Sequence, residues 1–201
     1  MKDCKTQELI MEKAKTLFFT EGNRDASTQE IADFVGVNRT LVNYYFGSKK
    51  KLFDWCLYQI RSEFQTELRS IIGKKVSIKE RIALIIDMLN KTIGQYPYFN
   101  IYLIYDINKS KKSKKDYRFD MPELEIFFND LKNEWGNDSL KHIDYWQFYI
   151  HIFALTSYPI LMRPYYEKVL KLSSKDMDKL FEQRKESIIQ LLLSSSFKNI
   201  Q

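Results

Sequence analysis

Apolar residues recur at steps of three and four along nearly the whole chain, and no segment sustains the alternation expected of a strand. In TQELIMEKAKTLFFTEG, Ile10, Ala14, Leu17 and Phe18 form one stripe, and Gly22 suits the helix terminus. STQEIADFVG predicts a short second helix, because Ser27 followed three residues later by Glu30 is a capping-box pair and Gly36 is a stop. Asn38 offers an N-cap to a third helix, RTLVNYYF. A fourth helix is expected from Ser48 to Ile72, with Leu52, Phe53, Cys56, Ile60, Phe64 and Leu68 on one face and Gly73 beyond its end.

The remainder reads as a second helical body. SIKERIALIIDMLNKTI places Ile78, Ile82, Ile85, Leu89 and Ile93 on one face, and YFNIYLIYDI follows Pro97. MPELEIFFNDLKNEWG opens on Pro122, a favoured first-turn position. SLKHIDYWQFYIHIFALTSYPILM is apolar around most of its circumference and is expected to break at Pro159. SKDMDKLFEQRKESIIQLLLSS carries Met177, Leu180, Phe181, Ile188, Leu191 and Leu192 on its apolar side. Between these, NKSKKSKKDYRFD (108–120) has five lysines, one arginine and no apolar period, as a solvated linker would. The expected fold class is therefore all-α, with about nine helices.

Composition narrows this picture. The chain has 201 residues, 44% hydrophobic and 29% charged, ordinary for a soluble protein, and its 6 glycines and 4 prolines favour long helices. A net charge of +6 is compatible with nucleic acid without demanding it. Cys4 and Cys56 form no CxxC pair and read as free thiols. The opening MKDCKTQELIMEKAK lacks the apolar core of a secretion signal, and no apolar run is long enough to span a bilayer, so the expected location is the cytoplasm, away from membranes. No nucleophile elbow, phosphate-binding glycine loop or zinc motif occurs, so neither catalytic residues, metal nor cofactor are expected, and the protein is not expected to be an enzyme. His142 and His151 lack companions at metal-binding spacing, and His151 between two isoleucines reads most simply as a core histidine.

Two short helices joined by FVGVN form the pattern of a helix-turn-helix unit. The second presents Arg39, Thr40, Asn43, Tyr44 and Tyr45 outward while Val42 and Phe46 point in. Arginine pairs with guanine O6 and N7, asparagine with adenine N6 and N7, and tyrosine hydroxyls reach phosphates. The following FGSKKKLF sets Lys49, Lys50 and Lys51 at a helix N-terminus whose dipole repels them. A phosphate held there by backbone N–H groups and Lys49 turns that repulsion into a binding site, whereas Lys50 and Lys51 read as solvated charge.

TQEIADFVGVNRTLVNYYFGSKKKLF closely resembles the DNA-binding signature of the tetracycline-repressor (TetR) family of bacterial transcription regulators. The shared features are a Thr opening helix 2, Ile-Ala within it, Gly-Val at the turn, Tyr-Phe closing helix 3 and Ser-Lys starting helix 4, within residues 6–55. The resemblance implies DNA contacts from Thr28, Gln29, Arg39, Thr40, Leu41, Asn43, Tyr44, Tyr45 and Lys49. Leu41 stands where a small or hydroxyl residue is usual and Asn43 where tyrosine is common, so the family's base preferences do not transfer directly. It further implies a DNA-binding head (1–46), a connecting helix (47–73) and a regulatory ligand-binding and dimerisation domain (74–201). The expected partners are a double-stranded, near-palindromic DNA operator, a second copy joined through the last two long helices, and a small aromatic or amphipathic effector. Effector contacts are expected among Tyr98, Tyr102, Tyr105, Phe127, Tyr145, Tyr149, His151 and Phe153, within the aromatic-rich stretch after residue 95. The rival reading keeps the same head and gives the body a protein partner instead of a small molecule.

Overall fold

A computed structural model of the chain describes residues 2–109, 122–135 and 144–193. Among these residues the chain forms ten α-helices and no strand: α1 Lys2–Lys15, α2 Thr28–Val35, α3 Arg39–Phe46, α4 Lys49–Ile72, α5 Ile78–Gln95, α6 Phe99–Lys109, α7 Pro122–Trp135, α8 Tyr145–Leu161, α9 Arg163–Lys168 and α10 Ser174–Leu193. The expected all-α class is what the structure shows. Asn108 and Lys109 of the expected linker belong to α6, while residues 110–120 lie outside the described residues, as do His142 and the expected helix start at 139–143.

The helices gather into two compact units, Met1–Thr66 with Thr92–Tyr117 and Glu67–Lys91 with Arg118–Gln201. In the first unit, α1 continues into a single π turn, Thr16–Thr20, closed by the Glu21 N–H donating to the Thr16 carbonyl at 3.0 Å. Residues 17, 18 and 19 would fan across roughly 200° of an α-helix, too wide an arc for one flat neighbour. Here all three are buried, because they are met from different sides. Phe19 packs on Phe53 of α4 at 5.1 Å between ring centroids and on Phe99 and Tyr102 of α6 at 6.0 Å each. Backbone bonds fix the same junction: the Tyr98 N–H donates to the Phe19 carbonyl at 3.1 Å, and the Thr20 hydroxyl to the Gln95 carbonyl at 2.7 Å.

The second unit is organised by a buried cation. Arg81 of α5 donates to the carbonyl of Ile72 at the end of α4 (3.2 Å) and to Asp130 of α7 (2.8 Å), and lies over the Phe127 ring. The first N–H of α5, at Ile78, is capped by the Glu134 carboxylate from α7 at 3.1 Å, a favourable charge for a helix N-terminus. Around these polar ties Ile82, Ile86, Leu89, Leu131 and Phe148 form the core.

One expectation is corrected. The helix does not break at Pro159, which lies buried inside α8. Proline removes the N–H that would bond the carbonyl four residues earlier, that of Leu155. Arg184 of α10 supplies the missing donor, its Nη2 reaching the Leu155 carbonyl at 2.7 Å. Arg184 thus ties two helices together. The interruption falls at Met162 instead, and Pro164 opens the additional short helix α9.

The bond predicts a measurable cost. Arg184→Leu leaves the Leu155 carbonyl with no donor and should lower unfolding stability by roughly 1–3 kcal/mol in urea titration, while Glu182→Ala, on an exposed position of the same helix, should leave it unchanged within about 0.5 kcal/mol.

Candidate nucleic-acid interface

Helices α2 and α3 are set by local chemistry. The Ser27 hydroxyl accepts from the Glu30 N–H, and the Glu30 carboxylate accepts from the Ser27 N–H at 2.7 Å, completing the capping box. The Ser27 bonds hold the Glu30 carboxyl below its ordinary value, with Lys49 acting in the same direction. Gly36 ends α2 in the left-handed region at φ 83°, and its N–H bonds back to Ala32. The Asn38 side chain then caps α3 by accepting from the Thr40 N–H at 2.8 Å.

This geometry turns α3 so that Val42 and Phe46 enter the core of the first unit while Arg39, Thr40, Leu41, Asn43 and Tyr44 are exposed. Tyr44 is 73% exposed, and Tyr45, half-buried, packs edge-on against it at 5.1 Å. Thr28 and Gln29 start α2, the former half-buried and the latter exposed, with the Gln29 amide donating to Asp33 at 2.8 Å. Ser48 caps α4 by accepting from the Lys51 N–H at 3.2 Å. Of the three lysines behind it, Lys50 pairs with Asp54 one turn on, at 3.0 Å. Lys49 instead donates to the Asp25 carbonyl at 3.2 Å, which lashes the start of α4 to the loop before α2.

The residues expected to meet an effector fall into two groups. Tyr98, Tyr102 and Tyr105 belong to the first unit and surround the loop that follows α1. The Tyr102 hydroxyl donates to the Gly22 carbonyl, and Tyr98 stacks on Tyr102 at 5.8 Å. Phe127, Tyr145, Tyr149 and Phe153 belong to the second unit and line a narrow gap of about 20 Å³ whose walls include Leu68, Phe128 and Phe148. Burial there pushes the Tyr149 phenol up to about 12. His151 is half-buried on α8 and does not line that gap.

Lys15 and Arg24 carry no periodic signal. Lys15 is buried on α1 and pairs with Glu12 at 2.6 Å and Glu63 at 3.4 Å. Burial works against its charge, but the Glu12 bond, with Tyr96 and Glu63 nearby, raises its pKa overall. Cys56 is buried, its thiol pushed up to about 12 by burial, which makes it a core residue and not a reactive one. Arg24, in the loop after Gly22, sits over Phe53, Tyr102 and Tyr105, the last at 4.1 Å. An isolated arginine beside a glycine offers no pattern to detect. Among the described residues no three His, Cys, Asp or Glu side chains gather where they could hold a metal ion, and no helix is long and apolar enough to cross a membrane.

The capped, glycine-hinged pair α2–α3 is a helix-turn-helix module on a three-helix head. Residues 10–56 match the model for bacterial regulatory proteins of the tetR family. The HTH-type transcriptional regulator BetI of Brucella anthropi is 33% identical over 86 residues, which cover 43% of this chain and 44% of BetI, less than half of either. The fatty acid degradation regulator FadR from Bacillus halodurans shares the fold with a TM-score of 0.57 at 16% identity, over 93% of this chain and 97% of that one. FadR from Bacillus subtilis, solved in complex with stearoyl-CoA, does so with a TM-score of 0.55 at 15% identity, over 94% and 98%. At such identities the likeness is one of fold. The likeness to the tetR family is carried by residues 10–56.

The loop before α2 is sterically tight at its glycine, and the turn after α2 is open at its own. A Cβ on Gly22 (φ 74°) would stand 2.7–2.9 Å from the Tyr98 ring, whereas at Gly36 (φ 83°) it would meet nothing. Gly22→Ala should therefore cost roughly 2–4 kcal/mol and Gly36→Ala about 1–2 kcal/mol in denaturant unfolding.

Proposed function

We propose that this chain is a ligand-responsive DNA-binding transcriptional regulator, acting as a homodimeric repressor that a small-molecule inducer releases from a near-palindromic operator. The observation that carries the reading is the α3 face: a guanidinium, an amide and a tyrosine hydroxyl stand free on a helix whose opposite side is buried. In this reading Arg39 and Asn43 meet base edges, Thr40 and Leu41 pack in the groove, and Thr28, Gln29, Tyr44, Tyr45 and Lys49 meet the backbone. Residues 1–46 act as the head, 47–73 as the connecting helix and 74–201 as the regulatory domain.

Dimerisation is supported by what α8 and α10 leave uncovered. Trp146, Ile150 and Tyr158 lie one turn or two apart on α8, with Leu180 and Leu191 exposed on α10. Two such stripes on packed neighbours suit a two-fold four-helix bundle. Two-fold symmetry then offers two recognition helices to successive major grooves, with half-sites about one helical turn apart. The effector reading is supported by a relative of the same fold that was solved with stearoyl-CoA; the gap beside Tyr149, about 20 Å³, has room for about one water and would have to widen to admit an effector. Binding would favour one separation of the heads and so shift the population away from the DNA-competent form.

Selection from a random duplex pool should return a two-fold symmetric sequence. On that sequence Arg39→Ala should relax preference at one base pair, worth about 1–3 kcal/mol, while Lys49→Ala should weaken all duplexes alike and lower the salt slope by about one unit. Equal binding of wild type and Lys49→Ala at every salt concentration would refute the phosphate assignment. Ile150→Glu should convert the dimer to monomer in sedimentation while the circular dichroism spectrum stays helical; a chain already monomeric without the substitution refutes the homodimer. A thermal-shift screen of aromatic, lipid-like and cationic compounds, long-chain acyl-CoA included, should yield stabilising hits.

A further inference from the structure

The first unit contains an open crevice of about 1000 Å³ between the loop after α1, the start of α4 and the outer face of α6. Its volume is at the upper end of what drug-sized ligands occupy. One wall is apolar and aromatic, formed by Phe53, Ile101 and Tyr105; Ile101 and Tyr105 are 52% and 49% exposed. Charged groups line the rest. Lys50 and Asp54 neutralise each other at 3.0 Å, which leaves Arg24, Lys49 and Lys109 against Asp25 and Asp106.

Arg24 is the distinctive feature. Its guanidinium carbon lies 5.0 Å from the Phe53 ring centre, 5.4 Å from Tyr102 and 4.1 Å from Tyr105. Among the described residues no hydrogen bond or ion pair engages that guanidinium. Ring faces hold a cation in place without using its N–H donors, since the attraction is to the π quadrupole. All five donors of a planar fork therefore remain unspent on a group whose position is fixed by three rings. A fork so placed is complementary to a carboxylate or a phosphate, which it binds through two parallel bonds.

We propose that this crevice is a binding site for a small aromatic anion, a planar ring bearing a carboxylate or phosphate, with Arg24 gripping the anionic group and Tyr105 and Ile101 covering the ring. The proposal deepens the effector reading and rests on it at Tyr102 and Tyr105, adding an anchor in the head unit itself. It needs neither the apolar gap of the second unit nor any contact to DNA. The site also contains Lys49 and the Asp25 loop, so an occupant would bear directly on the strap that positions the start of α4.

The test is calorimetric titration of the full chain with phenyl phosphate and with benzoate, alongside inorganic phosphate and benzyl alcohol as half-ligands. Wild type should bind at least one of the two aromatic anions, and at least tenfold more tightly than either half-ligand. Arg24→Lys keeps the charge but loses the fork, and should weaken that binding tenfold or more. Tyr105→Leu should weaken phenyl phosphate but not inorganic phosphate, and because Tyr105 is half-exposed its fold should survive. The proposal is overturned if neither aromatic anion binds wild type, or if Arg24→Lys binds as well as wild type. It is equally overturned if Arg24→Lys changes only the melting temperature, or only duplex affinity and its salt slope, because the guanidinium is then a packing group or a DNA-phosphate contact. Stabilisation by long-chain acyl-CoA, measured in parallel on both proteins, reports on the effector reading separately: its loss in wild type would count against that reading and not against this site.

Discussion

The burial of one ring, Phe19, fixes the geometry of the head. It lies at the end of α1, in the π turn Thr16–Thr20, and touches α4 through Phe53 and α6 through Phe99 and Tyr102. An α-helix would present two of the three residues Leu17, Phe18 and Phe19 to a neighbour and leave the third partly wet. With the wider turn all three are enclosed, and the loop beyond them is laid against Tyr98 and Tyr102. Aromatic burial of this size dominates the energetics of a small core. The loop leading into α2 is therefore held by α6.

This arrangement gives a physical answer to the clustered lysines at the start of α4. Three ammonium groups beside the positive end of a helix dipole are unfavourable if each is left alone. Lys50 is relieved by Asp54 one turn on, and Lys49 by the Asp25 carbonyl, with the Glu30 carboxylate close enough to be lowered by it. The cost in the unbound protein is met by local partners, yet the Asp25 contact is a single neutral acceptor. An anion offers Lys49 a stronger charge-assisted bond than a carbonyl does, so the same side chain can serve as a strap when nothing is bound and as an anchor when something is.

What the sequence disclosed divides along the range of the interactions. The capping box at Ser27 and Glu30, the turn at Gly36, the cap at Asn38 and the inward pair Val42 and Phe46 all act within four residues, and each was legible. So was the helical stripe of α5, whereas on α10 Met177, Ile188 and Leu192 are buried and Leu180 and Leu191 are exposed. The fate of the aromatics after residue 95 was not legible, because a period of 3.6 says which residues share a face without saying what that face meets. Tyr102 and Tyr105 line the crevice of one unit, where Tyr98 lies exposed against Gly22, while Phe127, Tyr145, Tyr149 and Phe153 line the gap in another. Pro159 was misread for the same reason: the donor that rescues the Leu155 carbonyl comes from Arg184, 29 residues away. The isolated cations Lys15, Arg24 and Arg81 are likewise defined by partners distant in sequence.

The recognition helix illustrates how little of a functional element needs to be buried. Eight residues are too few to stay helical alone, since nucleation is unfavourable and most helical stability comes from packing. Only Val42 and Phe46 of α3 are fully enclosed, and Tyr45 partly so. The helix persists because its two ends are closed, by Asn38 at the start and by the Gly47 N–H returning to the Asn43 carbonyl at 2.8 Å, and because it packs against α2. Everything that would hold it in place has thus been moved to its ends and to two side chains, and the other face is left with Arg39, Thr40, Leu41, Asn43 and Tyr44 uncommitted to the fold. Substitutions on that face would therefore leave the fold of the head intact, as the proposed role in DNA reading requires.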